Sequence, residues 1–187
     1  DSIHNIDLVA ITGVAGALHP ELRVGNVVFV DRLMTRRQES FHAERVVEIP
    51  RELFQTFSAA LTGAALSFSP GALLTSHRAI VTVADKRLAA VQSGAIAVDM
   101  ESAAIGEETS IRGLPFLCLR TILDQADEAL VGAALADENG HVRPLAAVKS
   151  VVTNPGMLVG AARLMRNLRT STRALASAME SALERFE

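Results

Sequence analysis

Two apolar runs that each end in carboxylates place the strongest constraint on how this chain can fold. The first run, Ile96 to Val98, leads into Asp99 and Glu101. The second run, Phe116 to Ile122, leads into Asp124. Short apolar runs of this kind predict buried strands of a parallel α/β sheet. Because ligands bind beyond the carboxyl ends of such strands, we expect two neighbouring strands that direct their acids into one crevice.

Strand and helix patterns alternate along the rest of the chain. Strands are expected at residues 7–12, 27–30, 71–75, 79–83, 95–98 and 115–122, and helices at 50–61, 84–92, 100–112, 145–152 and 156–186. The charged stretch 32–48 is expected to be a surface loop, and the polar stretch 124–143 to cover part of the site. We therefore predict a three-layer α/β fold with a mainly parallel, mixed central sheet and helices on both faces, in a single domain spanning residues 1–187.

The composition argues against several classes of protein. A chain of 187 residues that is 49% hydrophobic has enough apolar content for one domain with a core. Its net charge of −3 and isoelectric point near 6.0 give no electrostatic basis for binding nucleic acid. The single cysteine, Cys118, cannot form an internal disulfide, and no transmembrane-length apolar run or signal peptide is visible. We therefore expect a cytoplasmic protein.

Asp124 is the strongest candidate for a catalytic residue. It follows a long apolar run, and the residues after it, Gln125 to Asp127, do not resemble a surface helix. A partly buried carboxyl group has a raised pKa, so Asp124 would hold a proton near neutral pH and could deliver it to a leaving base. The alternative is an Asx turn or loop cap, which requires no ligand.

Asp99 and Glu101 lie at the corner where the earlier strand ends and a helix is expected to begin. A carboxylate such as Glu101 can accept two hydrogen bonds from a vicinal diol, as sugar-binding acids do. It would also interact favourably with the helix dipole without any ligand. Asp99 has the same alternative and in addition resembles a helix cap. Taken with Asp124, these acids predict a crevice that binds a ribose and breaks its bond to a base.

Small residues follow the first predicted strand, from Gly13 to Leu18. We expect a loop here in which Gly13 and Ala15 let the backbone pass close to a substrate. A tight turn needed for packing explains the same residues equally well. The histidines have no metal-ligand spacing with one another or with Cys118, so we predict no metal.

The last predicted helix has an apolar stripe and a basic face. The basic residues are Arg163, Arg166, Arg169 and Arg173. Such a helix can make weak contact with an acidic membrane surface. We favour the simpler interpretation, an outer helix packed on the sheet.

Four segments together resemble the purine nucleoside phosphorylase and methylthioadenosine nucleosidase superfamily. They follow the order of the family and are Ile11 to Leu18, Arg23 to Val28, Ala97 to Ala104 and Leu119 to Asp127. The third contains the Met-Glu pair of the family, and the fourth is similar to the strand that ends in its catalytic Asp. The resemblance implies a nucleoside phosphorylase-like fold, a purine nucleoside substrate, a homo-oligomer, and no cofactor, with phosphate as the candidate co-substrate.

The resemblance also implies a role for each matching residue. Glu101 would hold the ribose hydroxyls, and Met100 would pack against the sugar. Asp124 would protonate the purine, while Val98 and Ile80 would lie near the base. The transition state would be a ribosyl oxocarbenium ion that forms as the base leaves and is captured by phosphate or water.

Within the superfamily the chain looks most like the hopanoid-associated phosphorylases, thought to release adenine from adenosylhopane in hopanoid biosynthesis. The segments similar to that branch are Asp127 to Leu130, Gly140 to Leu145 and Asn154 to Gly156. The implied substrate is then a purine nucleoside with a lipid 5′ substituent. Two alternatives stay open, namely a methylthioadenosine or adenosylhomocysteine nucleosidase and a non-catalytic nucleoside-binding subunit.

The chain departs from the family pattern in two respects. The family begins with a further strand and Gly-rich turn, whereas here Asp1 to Asn5 precede the first predicted strand, so that N-terminal strand region is expected to be missing. Either the chain is part of a longer protein, or it lacks part of the anion and nucleophile site. In addition, Val14 stands where nucleosidases have a Ser, and Ala79 where they have an aromatic ring near the base. Without the aromatic ring at position 79 the pocket is more open, which favours an unusual substrate. Whether the reaction is phosphorolysis or hydrolysis stays undecided.

Overall fold

A sheet of six strands forms the centre of the fold. The computed structural model describes residues 6–36, 40–130 and 156–183 of the chain. The strands are β1 (Val9–Ala17), β2 (Val27–Arg36), β3 (Ala43–Glu48), β4 (Phe68–Thr75), β5 (Ala97–Asp99) and β6 (Phe116–Asp124). The helices in the described ranges are α1 (Arg51–Gly63), α2 (Val83–Ser93), α3 (Ser102–Ile111) and α4 (Gly156–Leu183).

Five of these strands form a closed ring. β2 pairs with β4, β4 with β5, β5 with β1, β1 with β6, and β6 pairs again with β2, while β3 lies outside the ring against β2. Among the described pairs, β1–β6, β2–β4 and β4–β5 are parallel, and the other three are antiparallel. The predicted α/β fold with a mixed central sheet is therefore confirmed, although parallel pairs are not in the majority.

Burial explains why β6 was the easiest strand of the sheet to predict. β6 is buried along almost its whole length and pairs on both sides, with β1 and with β2. A strand enclosed in this way needs apolar residues at consecutive positions, which produces the continuous run seen in the sequence. On the α1 side, Phe29 of β2 stacks on Phe54, with ring centroids 4.4 Å apart. The helices predicted at 50–61, 84–92 and 100–112 begin and end within two residues of the predicted bounds.

The prediction of a surface loop at 32–48 is wrong. β2 continues to Arg36, and β3 pairs with it antiparallel over Ala43–Glu48. β3 is an almost fully exposed edge strand. Charged side chains are tolerated at such an edge, where they hinder pairing with other chains. Because β3 has almost no buried residues, it lacks the apolar alternation by which a strand is recognised in a sequence.

The predicted strand at 79–83 is also wrong, because α2 begins at Val83. The hydroxyl of Thr82 accepts a hydrogen bond from the backbone N–H of Asp85 at 3.0 Å and donates one to the Asp85 carboxylate at 2.8 Å. This pair of bonds satisfies the exposed start of the helix and fixes its first turn. Ile80 consequently lies in an irregular segment just before the helix, with its side chain buried.

The segment predicted as a small-residue loop is the second half of β1. Gly13 pairs with Arg120 of β6, and Gly16 pairs with Asp124 of β6 and with Val98 of β5. Glycine within a central strand marks a place where another group approaches the backbone closely. The small residues thus let the side chains of Arg120 and Asp124 approach β1 closely, whereas close approach of a substrate stays a prediction.

α4 is an outer helix that packs against β6. Its Ser171 hydroxyl donates a hydrogen bond to the carbonyl of Ile122 at 2.6 Å, and its Asn167 amide donates one to the carbonyl of Leu123 at 3.1 Å. All four arginines of its basic face are exposed. The prediction of an outer helix packed on the sheet is confirmed for residues 156–183, whereas membrane contact stays a prediction. Within the described ranges, no helix combines the length and apolarity needed to cross a membrane.

Three predicted features lie outside the described residues. They are the helix at 145–152, the polar stretch beyond Leu130, and the segment Asp1 to Asn5 that would precede the first strand. The extent of one domain over residues 1–187 likewise stays a prediction.

Candidate active site

One cavity brings together all seven residues that the sequence predicts for the site. It has a volume of about 380 Å³ and is lined by the second half of β1, the segment before α2, the β5–α3 corner and the end of β6. The seven residues are Gly13, Ala15, Ile80, Val98, Met100, Glu101 and Asp124. They are therefore neighbours in space, while the role of each stays a prediction.

The two acid-bearing strands are not neighbours in the sheet, contrary to the prediction. β1 lies between them, because Gly16 pairs with Val98 on one side and with Asp124 on the other. The strand between them is made of small residues at this point, from Gly13 to Ala17. Acids from β5 and β6 consequently line a single cavity across β1, even though their strands do not touch through hydrogen bonds.

The β5–α3 corner places Met100 and Glu101 in the open part of the cavity. Met100 is 46% exposed, and Glu101 is also exposed. Glu101 occupies the cap position of α3, yet its side chain makes no capping hydrogen bond. Within the described residues, its carboxylate has no hydrogen-bond or ion-pair partner. The carboxylate oxygens are therefore available to accept hydrogen bonds from a ligand with adjacent hydroxyls.

Asp99, by contrast, is bound by the protein itself. Its carboxylate forms a buried ion pair with Arg120 at 2.7 Å and accepts hydrogen bonds from the Thr75 hydroxyl at 2.7 Å and the backbone N–H of Ser102 at 3.1 Å. A buried charge is tolerated when it is paired and hydrogen-bonded in this way. The structure thus supports the alternative in which Asp99 caps the helix start rather than contacting a ligand.

Arg120 is a buried cation in the cavity wall. It is 4% exposed, and in addition to Asp99 it binds the Ser102 hydroxyl, which accepts from its Nη2 at 2.6 Å and from its Nε at 3.0 Å. The guanidinium group lies directly against β1, where a Cβ on Gly13 would overlap with Nη1 of Arg120. An alanine at this position would therefore force the guanidinium group to move, and both residues line the cavity.

Asp124 is the buried acid of the cavity. Its side chain ends β6, and the residue is 8% exposed. Burial raises the pKa of Asp124, and the hydrogen bond and charge of Lys86 act in the opposite direction without cancelling the increase. Gly16 gives the carboxyl group its space, since a Cβ there would lie 3.2 Å from both carboxylate oxygens. The raised pKa agrees in direction with the expectation from the sequence.

Lys86 is the residue beside Asp124 that the sequence did not reveal. Its ammonium group forms an ion pair with Oδ2 of Asp124 and donates hydrogen bonds to the carbonyls of Gln125 at 2.6 Å and Glu128 at 2.8 Å. Lysine in a short polar helix normally points to solvent, so nothing in the sequence marks Lys86 as buried. Arg120 was detectable, because a charge within the apolar run of β6 needs a partner if the strand is buried.

The rest of the cavity lining is mostly small or apolar. Val14 and Ala79, the two positions at which the sequence departs from the nucleosidase pattern, both line it, and Arg78 and Leu130 complete it near α2. In the described parts of the chain, no group of three His, Cys, Asp or Glu side chains is placed to hold a metal ion. The cavity thus offers carboxylates, backbone and apolar surface to a small organic ligand.

The fold and the cavity together define an α/β protein with a candidate small-molecule site at the strand ends, the usual location for ligands in this fold class. Comparison with known families then makes the assignment specific. A sequence profile described as the Phosphorylase superfamily matches residues 2–162 of the chain. The chain therefore belongs to the phosphorylase superfamily. No curated protein sequence matches it significantly.

Solved structures with the same fold include several nucleosidases. The chain is similar to a 5′-methylthioadenosine/S-adenosylhomocysteine nucleosidase of Helicobacter pylori, with 18% identity, a TM-score of 0.70, and coverage of 96% of this chain and 69% of that chain. The same values apply to a futalosine hydrolase of Helicobacter pylori. An S-adenosylhomocysteine nucleosidase from Streptococcus pyogenes has 17% identity and a TM-score of 0.70, with 97% and 69% coverage. At these identities the likeness establishes a shared fold.

Proposed function

We propose that the protein is an enzyme that cleaves the N-glycosidic bond of a purine nucleoside, with Asp124 as its general acid. The observation that supports this most directly is the pair of unlike carboxyl groups in one cavity. Asp124 is buried and has a raised pKa, whereas Glu101 is exposed and has no described partner. Two acids whose environments differ in this way are typical of sites that divide proton transfer and substrate binding between them.

The proposed reaction uses each acid for one task. The bond between C1′ of the ribose and N9 of the purine breaks, and its electron pair stays with the base. Asp124 delivers a proton to N7 of the base, so that the base leaves without a negative charge. Glu101 accepts hydrogen bonds from the ribose hydroxyls and stabilises the positive charge that develops on the sugar. Met100 packs against the sugar. Val98 and Ile80 provide apolar surface for the base.

The nucleophile that captures the ribosyl cation is phosphate or water. Phosphate would form a ribose 1-phosphate, and water would form the free sugar. Arg120, the buried cation of the cavity, is already paired with Asp99, so a phosphate at this point would compete with a carboxylate 2.7 Å from the guanidinium. Arg78 is a second cation in the cavity lining and is exposed.

For the substrate we propose a purine nucleoside with a bulky apolar 5′ substituent, specifically adenosylhopane, from which adenine would be released during hopanoid biosynthesis. The resemblance of three sequence segments to the hopanoid-associated branch supports this choice. Ala79 in the lining, which stands where nucleosidases have an aromatic ring, leaves room for such a group. The related nucleosidase structures support the second candidate, methylthioadenosine or adenosylhomocysteine hydrolysis.

The test is adenine release from an adenosyl lipid and from methylthioadenosine, each with and without phosphate. Release of adenine from the lipid is the expected result, and a requirement for phosphate would make the protein a lipid-nucleoside phosphorylase. Release without phosphate would make it a hydrolase, and release from methylthioadenosine alone would favour the second candidate. If neither substrate releases adenine while both bind, the protein is a non-catalytic nucleoside-binding subunit and the proposal is refuted.

A further inference from the structure

The side chain of Lys86 is fully enclosed and has used all its hydrogen-bonding capacity. The residue is 0% exposed. Its three ammonium hydrogens match three acceptors, namely Oδ2 of Asp124 and the carbonyls of Gln125 and Glu128. An ammonium group has three donors and no acceptor, so these three acceptors match its full hydrogen-bonding capacity. Lys86 is thus held by the protein directly beside the buried acid.

The contact with Lys86 distinguishes the two oxygens of the Asp124 carboxyl group. Oδ2 accepts the bond from Lys86, whereas Oδ1 accepts no hydrogen bond from any described residue. Gly16 leaves space for both oxygens, because a Cβ at that position would lie 3.2 Å from each of them. One oxygen is therefore held by the protein, and the other is left for a proton and a ligand.

Lys86 also fixes the chain that follows the acid. The turn after β6 closes with a bond from the N–H of Glu128 to the carbonyl of Gln125 at 3.2 Å, and Lys86 binds the carbonyls of both residues. Two residues further on, the N–H of Leu130 donates to the carbonyl of Val81 at 2.9 Å. The segment leading to α2 and the segment leaving β6 are thereby joined around the carboxyl group.

From these contacts we infer that Lys86 is the positioning residue of the general acid. It holds Oδ2 of Asp124 so that the proton is carried on Oδ1 and directed at the leaving base. The inference rests on the proposed function, since it assigns Lys86 a task within that reaction. Lys86 does not touch the substrate in this scheme and acts only through Asp124.

The charged groups around Asp124 determine how its titration responds to loss of Lys86. Lys86 of α2 lowers the pKa of Asp124, and Glu128 in the following turn raises it. Glu128 is itself paired with Arg163 of α4 at 3.2 Å. Across the cavity, Arg120 is neutralised by Asp99, and Glu101 is exposed. Removing Lys86 therefore removes the main group that favours ionised Asp124, and the acid should keep its proton to higher pH.

The pH dependence of Lys86→Met distinguishes a positioning role of Lys86 from an effect on the pKa of Asp124 alone. The reaction needs protonated Asp124, so activity is full below its pKa and is lost as the pH rises through it. In Lys86→Met the loss should occur at higher pH, because the pKa of Asp124 is higher. On the low-pH plateau, where Asp124 is protonated in both proteins, turnover should nevertheless fall, since the carboxyl group is no longer held in one orientation.

The experiment measures the cleavage of two ribosides by three proteins, namely the wild type, Lys86→Met and Arg87→Met. Arg87→Met is the matched control, because it removes an exposed cation from the neighbouring position of α2. One substrate is the nucleoside that the wild type cleaves, and the other is 4-nitrophenyl riboside, whose leaving group departs without a proton. We expect kcat of Lys86→Met to fall about 10- to 100-fold on the nucleoside, with KM changed less than about threefold. The loss on the nitrophenyl riboside should be less than about threefold.

Each outcome has a distinct meaning. Equal losses on both substrates, or a basic limb of the pH profile that does not move, would show a merely structural lysine and overturn the inference. If circular dichroism shows that Lys86→Met does not fold, Lys86→Gln replaces it, because its amide can still donate to Oδ2. Lys86→Gln should also lose more kcat on the nucleoside than on the nitrophenyl riboside, by a smaller factor. Equal losses of kcat on the two substrates in Lys86→Gln would overturn the inference too. A wild type that cleaves neither riboside refutes the proposed function itself and the inference with it.

Discussion

Replacing Gly13 with alanine should destabilise the protein through Arg120, although the same change is usually favourable. In an unobstructed strand, alanine is preferred to glycine by about 0.5–1 kcal/mol because the unfolded chain is less flexible. Here a Cβ would overlap with Nη1 of Arg120. The guanidinium group would have to leave its position against β1, and with it the 2.7 Å ion pair to Asp99 and the bonds to Ser102.

The magnitude follows from what the displaced arginine loses. Breaking a buried ion pair so that one charge stays unpaired costs about 3–5 kcal/mol. Subtracting the intrinsic preference for alanine leaves a net loss of about 2–4 kcal/mol in the free energy of unfolding. That is a large part of the about 5–15 kcal/mol that stabilises a typical domain.

Urea unfolding followed by far-ultraviolet circular dichroism measures this loss. The chain has no Trp and no Tyr, so intrinsic fluorescence is not a useful probe. Arg120→Lys provides a double-mutant cycle, because the narrower ammonium group leaves more space beside β1, and Gly13→Ala should cost less in that background. A Gly13→Ala protein as stable as the wild type or more stable, or a cost unchanged by Arg120→Lys, would refute the reasoning.

The remaining predictions concern the acids and the cysteine. Asp124→Asn should abolish turnover, because the amide has no proton to deliver as an acid. Nucleoside binding, measured by calorimetry, should stay within about tenfold of the wild type. Unchanged turnover would exclude the acid role. Glu101→Gln should raise KM for ribosides and spare the binding of free adenine, and weaker adenine binding would count against a ribose contact. Cys118, whose pKa burial raises to about 11, should react with iodoacetamide at pH 8 at least about 100-fold more slowly in the folded protein than in urea. Rapid labelling of the folded protein would contradict its placement in the core.

The parts of the fold that could be predicted are those determined by local patterns. β5 and β6 were visible because each is a short apolar run that stops at an acid, and α1 to α3 were visible from helical spacing and terminal residues. The predicted neighbours Asp124 and Glu101 do line one cavity, since both follow buried strands that end near each other. Local sequence therefore located the acids before any tertiary information was available.

The parts that could not be predicted depend on contacts between distant segments. That β1 lies between β5 and β6 is a matter of pairing order, which short runs do not specify. β3 was missed because an exposed edge strand has no buried face to produce alternation. Lys86 was missed because its burial depends on three acceptors contributed by residues 38 to 42 positions later in the chain.

The ring of strands also has a consequence for how relatives of this protein can differ in length. An open sheet can gain a strand at either edge, but a closed ring of paired strands has no free edge at which a strand can be added. Of the described strands, β3 alone lies outside the ring, and it contributes nothing to the cavity lining. Insertions and deletions among relatives are therefore expected next to β3 and in the connections, whereas β1, β2, β4, β5 and β6 should keep their register with one another.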